Sequence, residues 1–566
     1  MVGGNNLRED SFSPQYTVPV AMKDESPLLT EELERLPSVF FKESGAGEGS
    51  LNFRGLSGRH TLVFLDEIPL NDLAFGEVNF SQFLSGSTHP KSIIPGANGV
   101  LYGEGALGGV VLLETPFTKK SDKYLHGEVG SFDSAYGHGS VQEKGAHSRF
   151  IIHGEGARSS GISQYGPTRT LGEKNKYGRL GSAGIFEKGT TSRQVKLTAR
   201  IMESTGKYDD DPSNPSSKPQ GTKNFKMILV GAEGKVDVRN LSHKLNLFLN
   251  ETDSKDGGIF GKFSSDTTLV GGRYEGSLFW TKESVLKLLT DLRQNTYKTE
   301  TNLRKTGTDY GVGLQQTHNF DSHWSGEVGG RLTQNHQFGT YATYSLAGAY
   351  KYNQTTVKSS LKTGFAPPTF RELYMSTLNY RGNPSLKPEK ARTFDVGVIQ
   401  EFFQKKANFQ VLYFQTEVKD LIVYSGKTSI NSPTTTNLSG VETALSATLK
   451  EGLDLYVNYT LTQTPSPRTA VNIGFPRHKG AAGITWRFGE DWSLNNQVLY
   501  IGKRLDRLSK KSLDSYYAVK VSLDYNLSPT SKIYGRVENI FNSNCVQTYG
   551  YRSAKRTFYV GSSLYF

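Results

Sequence analysis

The sequence is poor in the residues that stabilise disulfide-rich or metal-bound domains. Among 566 residues there is one cysteine, Cys545, so no internal disulfide bond can form. The 11 histidines show none of the Cys/His spacings of a zinc site. No apolar run approaches the roughly 20 residues that a membrane-spanning helix requires, and the mean hydropathy is −0.48. A helical membrane protein and a disulfide or zinc scaffold are therefore excluded.

Charge of either sign is spread along the chain rather than concentrated. Lys and Arg number 66 against 54 Asp and Glu, which gives a formal net charge of +12. A nucleic-acid-binding protein gathers its basic residues into a stripe or arm, whereas here short basic pairs such as residues 119–120 and 405–406 are scattered. The pattern predicts solvated loops and no nucleic-acid partner. Since no nucleophile–base or paired-carboxylate motif is present either, we expect no enzymatic activity.

Glycine and aromatic residues are abundant instead, with 61 Gly, 29 Tyr and 31 Phe against 5 Met. This balance favours strands and tight turns over helices. Before Pro116 the sequence is mixed, with a predicted helix over residues 28–36 and a predicted strand from Thr61. After Pro116, apolar and polar residues alternate almost to the end, as in strands with one apolar face. Examples of the apolar positions are Val195, Leu197, Ala199 and Ile201.

Two architectures could carry this alternation. A soluble β-sandwich uses strands of about five or six residues and an inner face rich in Val, Ile and Leu. A transmembrane barrel uses alternating segments of about ten residues, aromatic girdles and a polar lumen, and its closure pairs every backbone N–H and C=O in lipid. The long, Tyr-rich segments favour the barrel. The sequence also closes on RTFYVGSSLYF, and its terminal Phe566 resembles the assembly signal of outer-membrane barrels.

Five segments resemble one family specifically. Residues 51–72 (LNFRGLSGRHTLVFLDEIPLND) and 95–116 (PGANGVLYGEGALGGVVLLETP) resemble the plug domain of TonB-dependent outer-membrane receptors. Residues 362–374 (KTGFAPPTFRELY), 382–398 (GNPSLKPEKARTFDVGV) and 537–542 (VENIFN) resemble parts of that family's barrel. The Gly-rich stretch in the second segment lacks the Lys-Ser/Thr of a phosphate-binding loop. In compact size and in GNPSLKPEKA, the chain resembles the cobalamin transporters, and in general style it resembles the cobalamin and siderophore receptors.

The resemblance implies an all-β transmembrane barrel, expected to have 22 antiparallel strands, with an N-terminal α+β plug domain inside the lumen. Residues 1–25 would form an N-terminal segment with a TonB box, residues 26–118 the plug, and residues 119–566 the barrel. The barrel part then allows about 20 residues for each strand with its connection. A 16-stranded porin also fits this length but leaves the plug motifs unexplained. MVGGNNLRED lacks the apolar core of a secretion signal, so we expect a trimmed, mis-started or mature sequence.

The resemblance further implies TonB-dependent active import of a scarce large nutrient, a ferric siderophore or cobalamin, across the outer membrane of a Gram-negative bacterium. The implied partners are TonB with its inner-membrane energising complex, the metal-chelate or corrinoid ligand, and outer-membrane lipid and lipopolysaccharide; the chain is expected to be monomeric and to require no cofactor. Two alternatives stay open. One is a receptor for haem or another metal chelate, although no histidine lies between Pro368 and Asn383. The other is a non-energised porin or adhesin-like barrel.

The implied site residues lie mostly in the plug. Arg54 would lock the plug to barrel carboxylates, but the second arginine of that lock is missing from the segment 87–96, STHPKSIIPG. The loop after IPLND would face the ligand with Asn71, Asp72, Phe75 and Asn79. The candidate TonB box is YTVPVA, comprising Tyr16, Thr17, Val18, Pro19, Val20 and Ala21, because an extended, β-prone peptide can pair with TonB as an added strand; the alternative is a disordered tail.

The resemblance to cobalamin transporters also implies a structural calcium ion held by carboxylates of an outer loop. Asp209, Asp210 and Asp211 in YDDDPSNPSS are oxygen ligands of the kind that calcium prefers. A solvated loop is the alternative interpretation of this run.

Overall fold

The computed structural model describes residue 16 and residues 26–44, 48–117, 121–162, 175–209, 220–258, 261–299, 303–377, 380–463, 474–506, 511–551 and 553–566. It contains a closed β-barrel and a smaller mixed domain, the plug, whose residues contact the inner wall of the barrel. Among the described residues, no helix is long and apolar enough to cross a membrane.

The plug combines short helices with six strands. Its predicted first helix is present but shorter than expected, since it ends at Glu34, three residues before Pro37, and a proline disfavours helical geometry in the residue before it. The elements are α1 (Leu29–Glu34), β1 (Val39–Ser44), β2 (Glu48–Phe53), β3 (Thr61–Leu65), β4 (Ile68–Pro69), β5 (His89–Pro95), α2 (Gly99–Tyr102) and β6 (Gly109–Glu114), with 3-10 turns at Gly58–His60 and Phe80–Gln82.

Two sheets organise the plug. β1 and β2 form an antiparallel hairpin, and the second sheet has the order β4-β3-β6-β5, with β3 and β6 parallel. β3 is buried along its whole length, which explains why its sequence, TLVFL, is apolar after Thr61. The predicted strand from Thr61 divides because Asp66 and Glu67, with φ angles of 50° and 68°, turn the chain.

The barrel is closed by 22 described strands, as the sequence predicts, and each strand pairs antiparallel with its neighbours. The last strand pairs with the first through partners such as Tyr559 and Gly130, so no sheet edge is left open. The strands are β7 (Asp122–Gly130), β8 (Ser134–Lys144), β9 (Ser148–Ser159), β10 (Tyr177–Gly189), β11 (Arg193–Asp209), β12 (Gln220–Val238), β13 (Leu241–Gly258), β14 (Gly261–Phe279), β15 (Ser284–Thr299), β16 (Arg304–Asn319), β17 (Trp324–Asn335), β18 (Gly339–Tyr352), β19 (Thr355–Ala366), β22 (Glu389–Phe402), β23 (Ala407–Lys419), β26 (Thr436–Lys450), β27 (Leu453–Gln463), β28 (His478–Phe488), β29 (Trp492–Ile501), β32 (Tyr516–Ser528), β33 (Ser531–Glu538) and β34 (Thr557–Tyr565).

The remaining elements lie in the connections between barrel strands. A helix, α3 (Phe370–Tyr374), follows β19, and four short strands form a separate sheet beside it. The short strands are β20 (Ser376–Thr377), β21 (Tyr380–Arg381), β24 (Ile422–Ser425) and β25 (Thr428–Asn431), and a further pair is β30 (Arg504–Leu505) and β31 (Ser512–Leu513).

The two ends of the barrel differ in their connections. At one end, strands are joined by short turns, such as residues 239–240 and 353–354; at the other end, long connections include residues 367–388 and 539–556. Short turns face the periplasm and long loops face the outside in barrels of this kind. Because α3 lies in a long connection, it marks the outer mouth of the barrel.

The outward face of the wall is apolar and is edged by aromatic rings. Along β16, Val312 and Leu314 on the outward face are both 52% exposed, whereas Asp309 on the inward face is 1% exposed. Aromatic residues gather near the short-turn end, where Trp324 packs on Tyr350 at a ring distance of 4.6 Å and Trp492 on Tyr525 at 4.5 Å. These ring pairs form part of an aromatic girdle at the membrane interface.

Two glycines of the Gly-rich plug segment let its backbone approach the wall. A Cβ on Gly99 would lie 2.8 Å from the carbonyl oxygen of Thr363 in β19. Gly105 has a φ of +91°, and its N–H donates to the Phe365 carbonyl at 2.8 Å. A side chain at either position would separate plug and barrel or strain the backbone.

Candidate functional site

Arg54 is the central ionic contact between plug and barrel. Its Nη1 lies 2.7 Å from Asp395 Oδ1, and its Nε and Nη2 donate to the two oxygens of Glu442 at 2.8 and 2.7 Å. The guanidinium also lies over the ring of Phe414, 4.3 Å from its centroid. Arg54 is 1% exposed, and both carboxylate side chains are fully covered. Arg54 thus joins the plug to two strands of the barrel, β22 and β26.

The Arg54 contact extends to the N-terminal segment. The hydroxyl of Tyr16 donates to Glu442 at 2.5 Å, and the Ser38 hydroxyl donates to the same carboxylate. Burial opposes the charge of Arg54, but Glu442 and Asp395 outweigh it and raise the Arg54 pKa above its ordinary value. Burial, reinforced by Glu442, also raises the pKa of Tyr16. Arg54 therefore stays charged and Tyr16 stays protonated throughout the physiological range.

A second ionic cluster lies nearer the outer mouth. Arg59 reaches Glu389 Oε2 at 2.6 Å and Glu372 at 3.2 Å, and His60 Nε2 lies 3.0 Å from the same oxygen of Glu389. Burial opposes the charge of Arg59, but these carboxylates raise its pKa. Glu372 belongs to α3, where it forms a capping box with Thr369. The cluster therefore ties the plug both to the wall and to the connection at the mouth.

The barrel supplies a cation where the plug segment 87–96 lacks the family's arginine. Pro95 stands where the family has this arginine. Lys362 of β19 donates through Nζ to the Pro95 carbonyl at 3.0 Å and to Asn98 at 3.3 Å. At the start of the segment, Arg200 of β11 donates to the hydroxyls of Ser87 and Thr88 at 2.7 and 3.0 Å. The donors on this side of the plug come from the wall.

Two of the predicted ligand-facing residues shape the loop rather than protrude from it. Asn71 accepts from the Val63 N–H at 2.9 Å, and its amide donates to the carbonyls of Thr61 and Gly76. Asp72 accepts from the N–H groups of residues 74 and 75 at 2.7 and 2.9 Å, as in an Asx turn. Both side chains fix the backbone that presents the next residues to the lumen.

Phe75 lies at the apex of this loop and meets the outer mouth of the barrel. Its ring packs edge-on against Phe263 of β14 at 5.5 Å, and the guanidinium of Arg371 in α3 lies 5.3 Å from its centroid. The Arg371 N–H donates to the Ala74 carbonyl at 3.0 Å. α3 therefore rests directly on the top of the plug.

Other aromatic and basic side chains surround this apex, and we call the whole set the rim. Arg371 also lies 5.4 Å from the ring of Tyr380, and Lys305 lies 4.9 Å from the ring of Tyr374. Phe370 stacks on Tyr297 with ring centroids 4.9 Å apart. The rim comprises Phe75, Phe263, Tyr297, Lys305, Phe370, Arg371, Tyr374 and Tyr380.

The other predicted site residues lie elsewhere. The Asn79 side chain accepts from the N–H groups of Gly49 and Ser81 at 3.0 and 3.2 Å, so it caps a 3-10 turn inside the plug. Tyr16 pairs with Ile93 at the edge of β5, while residues 17–21 of the predicted TonB box lie outside the described residues. Asp209 ends β11, and Asp210 and Asp211 lie outside the described part. Among the residues that the structure describes, no group of three or more His, Cys, Asp or Glu is placed to hold a metal ion.

The family models match both parts of the chain. Residues 23–110 match the TonB-dependent Receptor Plug Domain, and residues 121–540 match the TonB dependent receptor-like, beta-barrel model. The chain is 23% identical over 576 residues to the Vitamin B12 transporter BtuB of Photobacterium profundum, covering 95% of this chain and 90% of that protein.

Solved structures share the fold. The siderophore receptor PirA from Acinetobacter baumannii superposes with a TM-score of 0.82 at 15% identity, over 98% of each chain. A variant of the ferric enterobactin receptor PfeA from Pseudomonas aeruginosa, in complex with enterobactin, gives a TM-score of 0.82 at 16% identity, over 98% of this chain and 99% of that one. With a plugged barrel of 22 strands and matches over both domains, this chain belongs to the TonB-dependent receptor family.

Proposed function

We propose that the protein imports a large metal chelate, a ferric siderophore or cobalamin, across the outer membrane of a Gram-negative bacterium, and that TonB supplies the energy. The observation that carries the proposal is the rim, which places aromatic rings and two cations around the apex of the plug at the outer mouth. Rings and cations together suit a bulky anionic chelate, because cations attract its charge and flat rings pack against its ligand groups.

The rim favours a ferric siderophore as the ligand. Arg371 contacts both the plug apex and the mouth, so a ligand that pairs with its guanidinium would touch plug and barrel at once. A ferric chelate with a net negative charge would bind more tightly because of this contact and because of Lys305 nearby. Cobalamin is the second candidate, supported by the Vitamin B12 transporter among the relatives; a flat corrinoid would use the rings more than the cations.

Growth and binding assays separate these ligands. Cells that lack their own receptors and express this protein should grow on a ferric siderophore as the sole iron source, and the purified receptor should bind that chelate. Growth on cobalamin, with no binding of ferric chelates, would identify a corrinoid transporter. Diffusion of small solutes without saturable uptake of any chelate would indicate a non-energised barrel.

Removing the charge of Arg371 should weaken siderophore binding selectively. We expect Arg371→Ala to raise the Kd for an anionic ferric chelate about tenfold, since the loss of one cation contact costs about 1–2 kcal/mol. Titration of purified receptor by intrinsic fluorescence measures the change. Arg392→Ala is the matched control, because Arg392 is 57% exposed on the outside of the wall and pairs with Glu417. Equal affinities for wild type and Arg371→Ala would contradict a role of the rim in binding.

A further inference from the structure

The outer wall carries a groove that faces the membrane near the short-turn end. Its volume is about 1000 Å³, and its lining is mostly apolar. Strands β15 to β19 and β22 form the groove, with the turns before β15 and β17 at one end. Its floor runs across the strands. The floor residues lie on the outward face of the wall, and each pairs with the next on the neighbouring strand: Ser284, His318, Gly326, Gly348 and Ser359.

The groove exists because three residues of its floor, Gly326, Gly348 and Ser359, are small while those beside them are large. Gly326 and Gly348 stand opposite each other on β17 and β18. The ring of Phe320 lies against Gly326, so the floor is open at Gly348. On the side toward the barrel centre, residues that pair across neighbouring strands form an edge that is apolar from β17 to β22. These neighbours are Val328, Leu346, Leu361 and Phe394. On the side toward the turns stand Phe320 and Trp324, which are 68% and 55% exposed.

The groove is apolar on the side toward the middle of the membrane and polar at the end next to the turns. At the turn end, Ser284 Oγ lies 2.5 Å from His318 Nδ1. The adjoining turns carry Lys282, Glu283 and Asp321, so both signs of charge occur at the level of the lipid headgroups. A molecule with a long apolar chain and a zwitterionic head matches this gradient.

We propose that the groove is a binding site for one phospholipid of the periplasmic leaflet, with an acyl chain on the floor at Gly348 and a zwitterionic headgroup at the turn end. The groove is continuous with the outward apolar belt, so lipid already covers the surface around it. Small residues that allow a chain to approach the backbone increase van der Waals contact. The short-turn end faces the periplasm, which selects the phospholipid-containing leaflet rather than the lipopolysaccharide leaflet.

Filling the floor tests the proposal. In Gly348→Leu, the new Cβ would meet only the Ser325 carbonyl oxygen, at 3.7 Å, so the fold should tolerate the change. Gly330→Leu is the matched control, because Gly330 lies on the same outward face of β17 and a Cβ there meets nothing within 4 Å. Both variants add the same apolar side chain to the outer wall, and only Gly348→Leu occupies the groove.

Native mass spectrometry of receptor released from nanodiscs of phosphatidylethanolamine and phosphatidylglycerol provides the measurement. We expect wild type and Gly330→Leu to retain one phosphatidylethanolamine at activation energies that strip other lipids, and Gly348→Leu to retain at least tenfold less. No retained lipid in wild type, or equal retention in Gly348→Leu, would overturn the proposal. So would retention of lipopolysaccharide when it is supplied, or a dimer mass that Gly348→Leu abolishes, since these would assign the groove to other occupants.

Discussion

Arg54→Ala is expected to loosen the plug against the barrel wall and make cells permeable to large antibiotics. The substitution leaves Asp395 and Glu442 buried without their cation, and breaking a buried ion pair in this way costs about 3–5 kcal/mol. Vancomycin sensitivity of cells that express the variant measures the leak, and the thermal midpoint of the purified receptor measures the loss of stability. Tyr16 and Ser38 still donate to Glu442, so the plug should loosen rather than leave the barrel.

Two further variants distinguish the lock from a general effect of charge. The triple variant Arg54→Met, Asp395→Asn and Glu442→Gln removes the cation and both carboxylates, so it should recover much of the lost stability. Arg487→Ala removes one arginine of a surface pair with Asp454, where Arg487 is 50% exposed, and should leave antibiotic exclusion unchanged. Normal exclusion in Arg54→Ala would show that Arg54 does not lock the plug. A triple variant no more stable than the single one would show that the unpaired carboxylates do not cause the loss of stability.

The barrel could be predicted because its signal is local and repeated. Alternation along segments such as β11, with Val195 and Leu197 about half exposed on its outward face, reports directly which side meets lipid. The length available per strand fits 22 strands but also fits 16, and the resemblance to the plug motifs is what favours 22. The division of residues 61–68 into β3 and β4 could not be seen in the same way, because Asp66 and Glu67 adopt positive φ angles within an otherwise strand-like run.

The candidate site could be predicted only in part, because its contacts join distant parts of the chain. The motif around Arg54 points to that residue, but nothing local identifies Asp395 or Glu442, which are 341 and 388 residues away. Lys362 and Arg200 were missed since the family pattern places the cation on the plug rather than on the wall. Arg371 lies in the segment FRELY, and only its spatial position over Phe75 distinguishes it from other exposed arginines.

The type of a side chain alone does not show whether it faces a ligand or bonds to the neighbouring backbone. Asn71 and Asp72 have the polar groups that a ligand could use, yet those groups are engaged by nearby backbone atoms. Short polar side chains often bond to neighbouring backbone in turns, so their presence in a loop predicts a shaped turn as readily as a binding residue. The Phe75 side chain has no polar group that could bond to the backbone, and its ring is the part of the loop that reaches the mouth.

Replacing both Val18 and Val20 by proline is expected to abolish energised import while leaving ligand binding intact. A peptide that adds to TonB as a strand pairs through the N–H groups of alternate residues. Pro19 has no N–H, so the pairing edge must be the one that includes Val18 and Val20. Tyr16 has the same parity, and its N–H and carbonyl already bond to Ile93 of β5 at 2.9 and 2.8 Å. The same edge of the peptide therefore serves the plug at Tyr16 and is predicted to serve TonB further along.

The expected loss of import is at least about 30-fold, because two unsatisfied partners in the added strand cost about 2–6 kcal/mol. Uptake of a radiolabelled chelate by whole cells measures import, and titration of the purified receptor measures binding. Val18→Ile with Val20→Ile is the matched control, since it keeps both N–H groups and the β propensity of the segment. Import at the wild-type rate by the proline variant would place TonB contact outside YTVPVA, whereas loss of binding as well would indicate that the substitutions disturb the plug itself.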